Sequence, residues 1–557
     1  MLTDTPTGPL TQPLTQPLSQ TLSRLLAPLL LSQHQRLLQI ETALPSASLL
    51  VERATWTQTL GVYGDNSGDE SAAPLQSLSA QIDCISTSAH LELKALIGEQ
   101  VSLRLMQADG RYRSWHGYVA AAANQGSNGG AGLYRLTVVD FTHVLQQRSD
   151  NRVFVNQRAH EIISEVLKAY PQARFEIKVK QLEAAANRAS TAQWNETDAA
   201  FVQRLCREEG WSVWLEHEDS GQPVSSASSF RRAAPRNDAP LGGRSEATGG
   251  PNQQAKHTLI IADAGTERTQ LGPIRFAKGE VRQTLMGGLV QDTIHAVQIK
   301  RQAGPNAVTL GSWDNRQLAG VTASQSSGLD AGTLPELEHY QAQGAQNYAQ
   351  YNPGSQELEG SVSQAEHQAA LALARHELHY KTLSGQSGVR ALDVGADFEL
   401  IDHSLYGVQG SLHGRSDNAF TILSIEHEAA NNLGTEVARL LNAHELESGS
   451  YQNCFTACPQ AAQLVSPQSE PALSHVQTAL VVGHPNEAIT TERDQRVKIQ
   501  YPWQRGERPL PGGLKGPPTP GREDTGYATQ DAANSPWVPV MQASAGANWG
   551  QVFTPRH

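Results

Sequence analysis

Alternation of apolar and polar residues dominates this chain. In ARFEIKVK, Ala173, Phe175, Ile177 and Val179 alternate with Arg174, Glu176, Lys178 and Lys180. That period of two buries one face of a strand and wets the other. Comparable runs occur at 36–42, 80–86, 101–107, 133–140, 292–300, 397–402, 420–428 and 496–503, and turn-rich tips such as NQGSNGG (124–130) join several of them. Long helical patterns do not separate these runs. They predict an antiparallel meander or barrel in preference to a parallel sheet. The expected fold is mainly β with small α elements.

Three helices are expected. Ile162, Ile163, Val166 and Leu167 form a stripe at helical spacing between Asn156 and Tyr170. The second helix is bounded chemically: Thr197 caps it, Asp198 sits at the positive end of its dipole, and Gly210 supplies the stop. Phe201, Val202, Leu205 and Cys206 are its apolar face. A third runs from about Gln364 to Lys381.

Composition marks the loops. Residues 219–255, rich in Ser, Gly, Arg, Pro and Asn, separate the strand-like WSVWLEHE and HTLIIADA, which predicts a hairpin with a long disordered tip. Gly61–Pro74, about 321–357 and 505–535 are expected as surface insertions, and 452–474 as an interdomain linker. Residues 1–34, where TQPL at 11–14 recurs at 15–18, have the low complexity of a disordered leader.

At 557 residues the chain exceeds one hydrophobic core and implies three or four domains. Its net charge of −12 argues against broad electrostatic capture of nucleic acid or anionic lipid. Asp4 precedes any basic residue and Pro28 interrupts the apolar Leu25–Leu31, so no secretory signal is expected. No run approaches the roughly 18 apolar residues that span a bilayer, so no stable membrane insertion is expected. The four cysteines make no disulfide framework and fit a reducing compartment. Cys84 and Cys206 read as core residues. Cys454 and Cys458 read as free thiols in a loop, because zinc would need two further ligands at suitable spacing.

The search for chemistry ends without a site. His-Glu occurs at His160, His217, His376, His427 and His444, but a zinc-protease helix needs a second histidine four residues on. Ser164, Gly221, Tyr380, Asn431 and Ser448 stand there instead. His376 and His379 are expected as an exposed, solvated pair. Gly385-Gln386-Ser387-Gly388 only approaches a nucleophile elbow, in a turn-like tract. Phosphate-loop and dinucleotide motifs do not occur. Arg496, Lys498, Arg505, Arg508, Lys515 and Arg522, with Tyr501 and Trp503, are expected to be the charged outer face and core aromatics of a small barrel, not a nucleic-acid surface. The prediction is therefore no enzyme, with no catalytic, cofactor-binding or metal residues and no cofactor.

The order of segments resembles VgrG, the spike family at the tip of the type VI secretion apparatus, and more distantly the hub and spike proteins of contractile phage tails. The resemblance starts at RLLQIETALPSASLLVERATWTQTL (36–60), continues in VFVNQRAHEIISEVLKAY (153–170), and is most specific at QWNETDAAFVQRLCREEGWSVWLEHE (193–218). There Trp194 and Thr197 replace the family's usual Tyr and Ser. It extends through GADFELIDHS (395–404), LSIEHEAANN (423–432), ALVVGHPNEAITTERDQRVKIQYPWQRGE (479–507) and SPWVPVMQASAGANWGQVFTPRH (535–557), with Gln495 in place of a common turn glycine.

The resemblance implies a phage-hub-like double β-barrel followed by a partial OB-fold barrel. It assigns 35–150 to a first hub barrel, 151–218 to a small α/β element, 219–255 to an insertion, 256–451 to a second hub barrel with a helix, and 475–557 to an incomplete OB-fold barrel. It further implies a homotrimer presenting six barrels to the Hcp tube hexamer, with effector or adaptor proteins and a tip-sharpening protein as partners. The family's barrel and needle continue past the counterpart of His557. Assembly in the bacterial cytoplasm and translocation by the apparatus are implied too. A phage or tailocin hub, a spike-linked cell-wall hydrolase and an OB-fold nucleic-acid binder are the alternatives.

Overall fold

A computed structural model describes Gln33 and residues 35–60, 75–218, 254–278, 292–404, 418–433, 448–467, 476–504 and 535–556, apart from short gaps inside these spans. The expected leader and the expected insertions at 61–74, 219–255 and 505–535 fall almost wholly outside the described residues.

Six strands build the first half: β1 (Leu38–Glu41), β2 (Leu50–Thr59), β3 (Leu78–Ser86), β4 (Gln100–Met106), β5 (Tyr112–Asn128) and β6 (Ala131–Val139). They pair antiparallel in the order β1-β4-β5-β6-β3-β2. Burial alternates as the pattern demands: Ala54, Trp56 and Gln58 face inward on β2, while Arg53, Thr55 and Thr57 face water. β5 bulges twice against β6 and continues as strand through Asn128, where a turn was expected from residue 124.

A side chain bridges the remaining gap, between β1 and β2. Asn431 donates from Nδ2 to the carbonyls of Leu38 (3.0 Å) and Val51 (2.8 Å), and its Oδ1 accepts from the Leu38 amide (3.1 Å). Beside it, Asn432 accepts from the Leu37 amide at 2.8 Å. Asn431→Ala is expected to destabilise the chain by about 2–3 kcal/mol, the cost of leaving such buried groups unmet. Hydrogen exchange should show β1 opening first. Unchanged protection at Leu38 and Ile40 would refute this role.

Helix α1 (Thr142–Gln146), β7 (Ser149–Gln157), α2 (Ala159–Lys168), β8 (Phe175–Lys178), β9 (Arg188–Thr197), α3 (Asp198–Glu209), β10 (Ser212–His217) and β11 (His257–Ala262) follow. The ends of α3 form as expected: Thr197 Oγ1 accepts from the Ala200 amide at 3.1 Å, and Gly210 takes a left-handed φ of 74°. A side chain at Gly210 would also strike Leu371. The apolar faces of α2 and α3 join the core of the first barrel. At the junction, Asp140 is fully buried. Its carboxylate accepts the amides of Ser77 and Leu78 (both 2.8 Å), the amide of Thr142 (2.9 Å) and the Thr142 hydroxyl.

β10 and β11 pair antiparallel, as the strand-like flanks of 219–255 predicted, and β8 lies parallel to β11. β12 (Gln270–Arg275) and β13 (Ile294–Arg301) come next. The expected insertion at about 321–357 is instead largely structured. β14 (Ala307–Asp314), β15 (Ala319–Ser326) and β16 (Glu338–Gln343) form a small sheet, followed by the pair β17 (Ala349–Asn352) and β18 (Glu357–Gly360). Val308, Leu310, Val321 and Ala323 pack on Ala365, Ala369, Ala372 and Leu373 of α4 (Val362–Glu377). Two small apolar residues sufficed to bury one face of β15, a signal too weak to stand out among Ser, Gln and Gly.

β19 (Lys381–Ser387), β20 (Asp397–Ile401), β21 (Ala419–Asn432) and β22 (Ser448–Pro459) complete the second half. β21 pairs with β22 and β20, β22 with β19, β19 with β13, and β20 with β12. A bridge from Phe276 to Ile294 links the end of β12 to β13 and closes this ring of six strands. Phe420 and Phe455 pack on Phe398 inside it, with centroids 5.9 and 5.7 Å away. Among the described residues the β8–β11, β12–β20 and β14–β16 pairings and the Phe276–Ile294 bridge are parallel, and the other strand pairings are antiparallel.

Cys454 and Cys458, expected in a loop of the 452–474 linker, lie on β22, with Cys454 exposed and Cys458 buried. Four residues along a strand span about 13 Å, too far for a disulfide or a shared metal. The tract Gly385–Gly388 is likewise no turn: it ends β19, and Ser387 is buried with its hydroxyl on Asn453. Beyond the second barrel, β23 (Leu480–Val482), β24 (Arg496–Gln500) and β25 (Trp537–Pro539) form one antiparallel sheet.

Candidate functional site

The feature that makes one body of two barrels is the seam between β2 and β21. These strands pair antiparallel from Arg53↔Ala430 to Thr59↔Ser424, with Trp56 opposite His427. Each barrel thus shares its sheet with the other, and backbone hydrogen bonds cross the junction.

Side chains reinforce the pairing from inside. His427, fully buried, stacks on Trp56 at 4.7 Å and 9°, and Trp115 of β5 lies 5.0 Å from Trp56 and 5.5 Å from His427. A hydrogen-bond chain then crosses the seam. Asn453 Nδ2 donates to Tyr451 Oη (2.9 Å), whose hydroxyl donates to His427 Nδ1 (2.8 Å). His427 Nε2–H donates to Gln58 Oε1 (3.0 Å), and Gln58 Nε2 donates to Asp393 Oδ1 (3.1 Å). Each donor meets an acceptor only if His427 is neutral with its proton on Nε2. Burial, reinforced by the positive Arg113, holds its pKa well below the ordinary histidine value.

Two arginines fasten the rim. Arg113 of the first barrel pairs with Asp393 (2.8 Å), donates to the carbonyls of Arg390 (3.2 Å) and Leu392 (2.6 Å), and lies over the Trp115 ring. Arg390 of the second barrel pairs with Asp292 (3.1 Å) and donates to the Met106 carbonyl (2.8 Å) of the first. The two barrels exchange arginines. These reciprocal bonds, from the half-buried Arg113 and the buried Arg390, favour one relative placement of the barrels. His427 is fully buried, so it is placed to hold, and general acid–base work would require reach to a substrate.

The other histidines of the His-Glu pairs scatter. His217 lies half-buried in a different cluster, His160 is half-buried on α2, and His444 falls outside the described residues. His376 and His379 are not the exposed pair expected: both are half-buried, α4 ends at Glu377 before His379, and His376 faces the His339 ring at 5.2 Å. Cys84 and Cys206 are core residues. Among the described residues no group of three or more His, Cys, Asp or Glu is placed to hold a metal. Of the expected basic surface, Arg496 is buried against Glu492 and Lys498 lies over Trp537. Tyr501 and Trp503 stack at 4.7 Å but are half-buried, not core. Sequence reading missed the seam because its polar members resemble surface residues. The one available signal was alternation in FTILSIEHE, which turns His427 inward.

Comparison with known proteins agrees with this architecture. The profile of the phage tail baseplate hub (GPD) family matches residues 76–433. The Pseudomonas aeruginosa type VI secretion system spike protein VgrG1c is 23% identical over 536 residues, 95% of this chain and 59% of that protein. The Vibrio cholerae actin cross-linking toxin VgrG1 is 23% identical over 86% of this chain and 36% of its own length. A solved Escherichia coli component of the type VI secretion system, described as structurally similar to T4 bacteriophage tail proteins gp27 and gp5, superposes with a TM-score of 0.52 at 14% identity, covering 90% of this chain and all of that one. The chain thus spans about three fifths of the Pseudomonas relative's length. Two closed barrels welded edge to edge, together with the matching profile, establish that the chain belongs to the phage tail baseplate hub family and resembles its VgrG spike branch.

Proposed function

We propose that this chain is the hub of a type VI secretion spike, a structural part that joins a tube to a tip. The observation that carries the reading is the seam: two similar six-stranded barrels are held in one fixed relation. Three such chains present six barrels in a ring, the symmetry needed to cap an Hcp hexamer. Two rings of strands joined by a shared sheet, the first completed by the Asn431 side chain, resist peeling under an axial push. The part played is mechanical, with no catalytic step assigned to these residues. The cross-linking activity named for the Vibrio relative belongs to a protein of which this chain covers 36%. Residues 475–557 are read as the start of an OB-fold barrel that leads to the needle. Effector or adaptor proteins and a tip-sharpening protein are the further partners. Assembly in the cytoplasm precedes translocation, and among the described residues no helix is long and apolar enough to cross a membrane.

Sedimentation of the full-length protein at rising concentration, with and without Hcp, tests this. A trimer that co-sediments with Hcp rings is expected. A monomer at high concentration that ignores Hcp would overturn the proposal. Because the matching profile is that of a phage hub, a phage tube protein is the control, and preference for it would move the reading to a phage or tailocin baseplate.

A further inference from the structure

A second cluster lies away from the seam, where the β10–β11 hairpin docks on the first barrel, with His116 and His257 buried and His217 half-buried. His217 and His257 are direct partners across that hairpin, with ring centroids 5.8 Å apart, and His116 of β5 lies 6.0 Å from His217. His257 is wedged between Phe141 (5.5 Å, stacked) and Tyr118 (6.1 Å, edge-on) of the barrel side.

The bonds between the two parts run through imidazoles. The His116 amide donates to His217 Nδ1 at 3.1 Å, and the Phe141 amide donates to His257 Nε2 at 3.1 Å. His116 Nε2–H donates to the Glu218 carbonyl at 2.6 Å, while its Nδ1 accepts from Ser102 at 2.7 Å. A backbone amide only donates and a carbonyl only accepts, so His217 and His257 each keep a lone pair toward the barrel and are neutral, while His116 carries a proton on Nε2. An imidazolium has no lone pair left to accept an amide. Protonating His217 or His257 therefore breaks its docking bond.

We propose that His217 and His257, with His116 beside them, form an acid-sensitive latch that docks the β10–β11 hairpin on the first barrel and releases it when His217 and His257 take up protons. The surrounding charges favour release. Arg104 on β4, Arg113 on β5, Arg174 before β8 and Lys256 before β11 all face the cluster. The nearby carboxylates are engaged elsewhere: Glu218, which favours a charge on His116, pairs with Arg174, Glu41 with Arg104, and Asp393 with Arg113. Among the described residues, His217 Nε2 and His257 Nδ1 have no acceptor that would stabilise a cation. Burial, then the neighbouring positive groups, lowers all three pKa values, that of His257 to about 3.

The sign follows. Above pH ~6.5 docked and undocked forms are both neutral, and the equilibrium does not depend on pH. Below it only the undocked hairpin takes up protons, so undocking grows by about tenfold per pH unit for each histidine released. Hydrogen exchange of the whole chain, corrected for intrinsic rates, reads this directly at residues 212–217 and 257–262. Each histidine contributes about 25-fold between pH 7 and pH 5. His217→Asn and His257→Gln keep an acceptor near Nδ1 and Nε2 respectively without titrating. The double variant should therefore show a pH response several hundredfold smaller than wild type. The latch is overturned if the wild-type hairpin opens no more at pH 5 than the β14–β15 pair does, or if the double variant keeps the wild-type response. Should that variant not fold, exchange at histidine C2–H in the wild type decides. Midpoints of His217 and His257 far below 6.5 support the latch, and ordinary midpoints refute it.

Discussion

Trp56→Ala is expected to lower stability by about 3–5 kcal/mol, as for other large buried aromatics. Trp56 is 1% exposed and sits where the barrels meet, against His427, Trp115 and Tyr451. Its loss opens a cavity and frees the His427 ring that links Tyr451 to Gln58. Trp56→Phe is a sharper control. The indole Nε1 has no hydrogen-bond partner among the described residues, so Phe sacrifices packing and no hydrogen bond. It should lose roughly half as much or less. Urea denaturation followed by circular dichroism measures both. Hydrogen exchange should show β2 and β21 deprotected together in the alanine variant. A loss below about 1 kcal/mol, small for a filled aromatic site, would mean that the seam does not hold the barrels together.

Asp140→Ala should be as damaging for a different reason. Its carboxylate satisfies three amides and a hydroxyl in a site with no exposure, tying the start of β3 to the start of α1. Each buried donor left unmet costs about 1–3 kcal/mol. The summed loss is expected to reach at least about 4 kcal/mol, because no neighbour replaces four acceptor contacts at once. Asp140→Asn keeps the shape but turns one acceptor oxygen into a donor, and should recover less than half of it. An Asn variant as stable as wild type in urea would contradict this account.

Much of the fold was legible because its signals are local. Phe175 and Ile177 point toward the core since strand side chains alternate, whatever the strand pairs with. Thr197 and Gly210 bound α3 through hydrogen bonds and backbone angles that involve only near neighbours in the chain. The hairpin flanking 219–255 could be read from two strand patterns alone. The order of segments was enough to indicate the family.

The polar interior was not legible, because its partners are far apart in sequence. Asn431 bonds Leu38 across 393 residues and His427 bonds Gln58 across 369. By composition these residues resemble solvated surface, and burial becomes tolerable only once each donor meets its acceptor. The β14–β16 sheet was hidden similarly, because its thin apolar face needs α4 to cover it. Cys454 and Cys458 were misplaced for want of pairing partners: β22 is a strand because β21 and β19 flank it. The sequence by itself determined which segments are strands and helices and which of their faces turn inward, since periodicity and caps act over a few residues. Only the tertiary structure decided that Asn431 bridges β1 to β2, that His427 and the exchanged arginines join the two barrels, and that His217 and His257 accept backbone amides of the first barrel, since each depends on partners brought from distant parts of the chain.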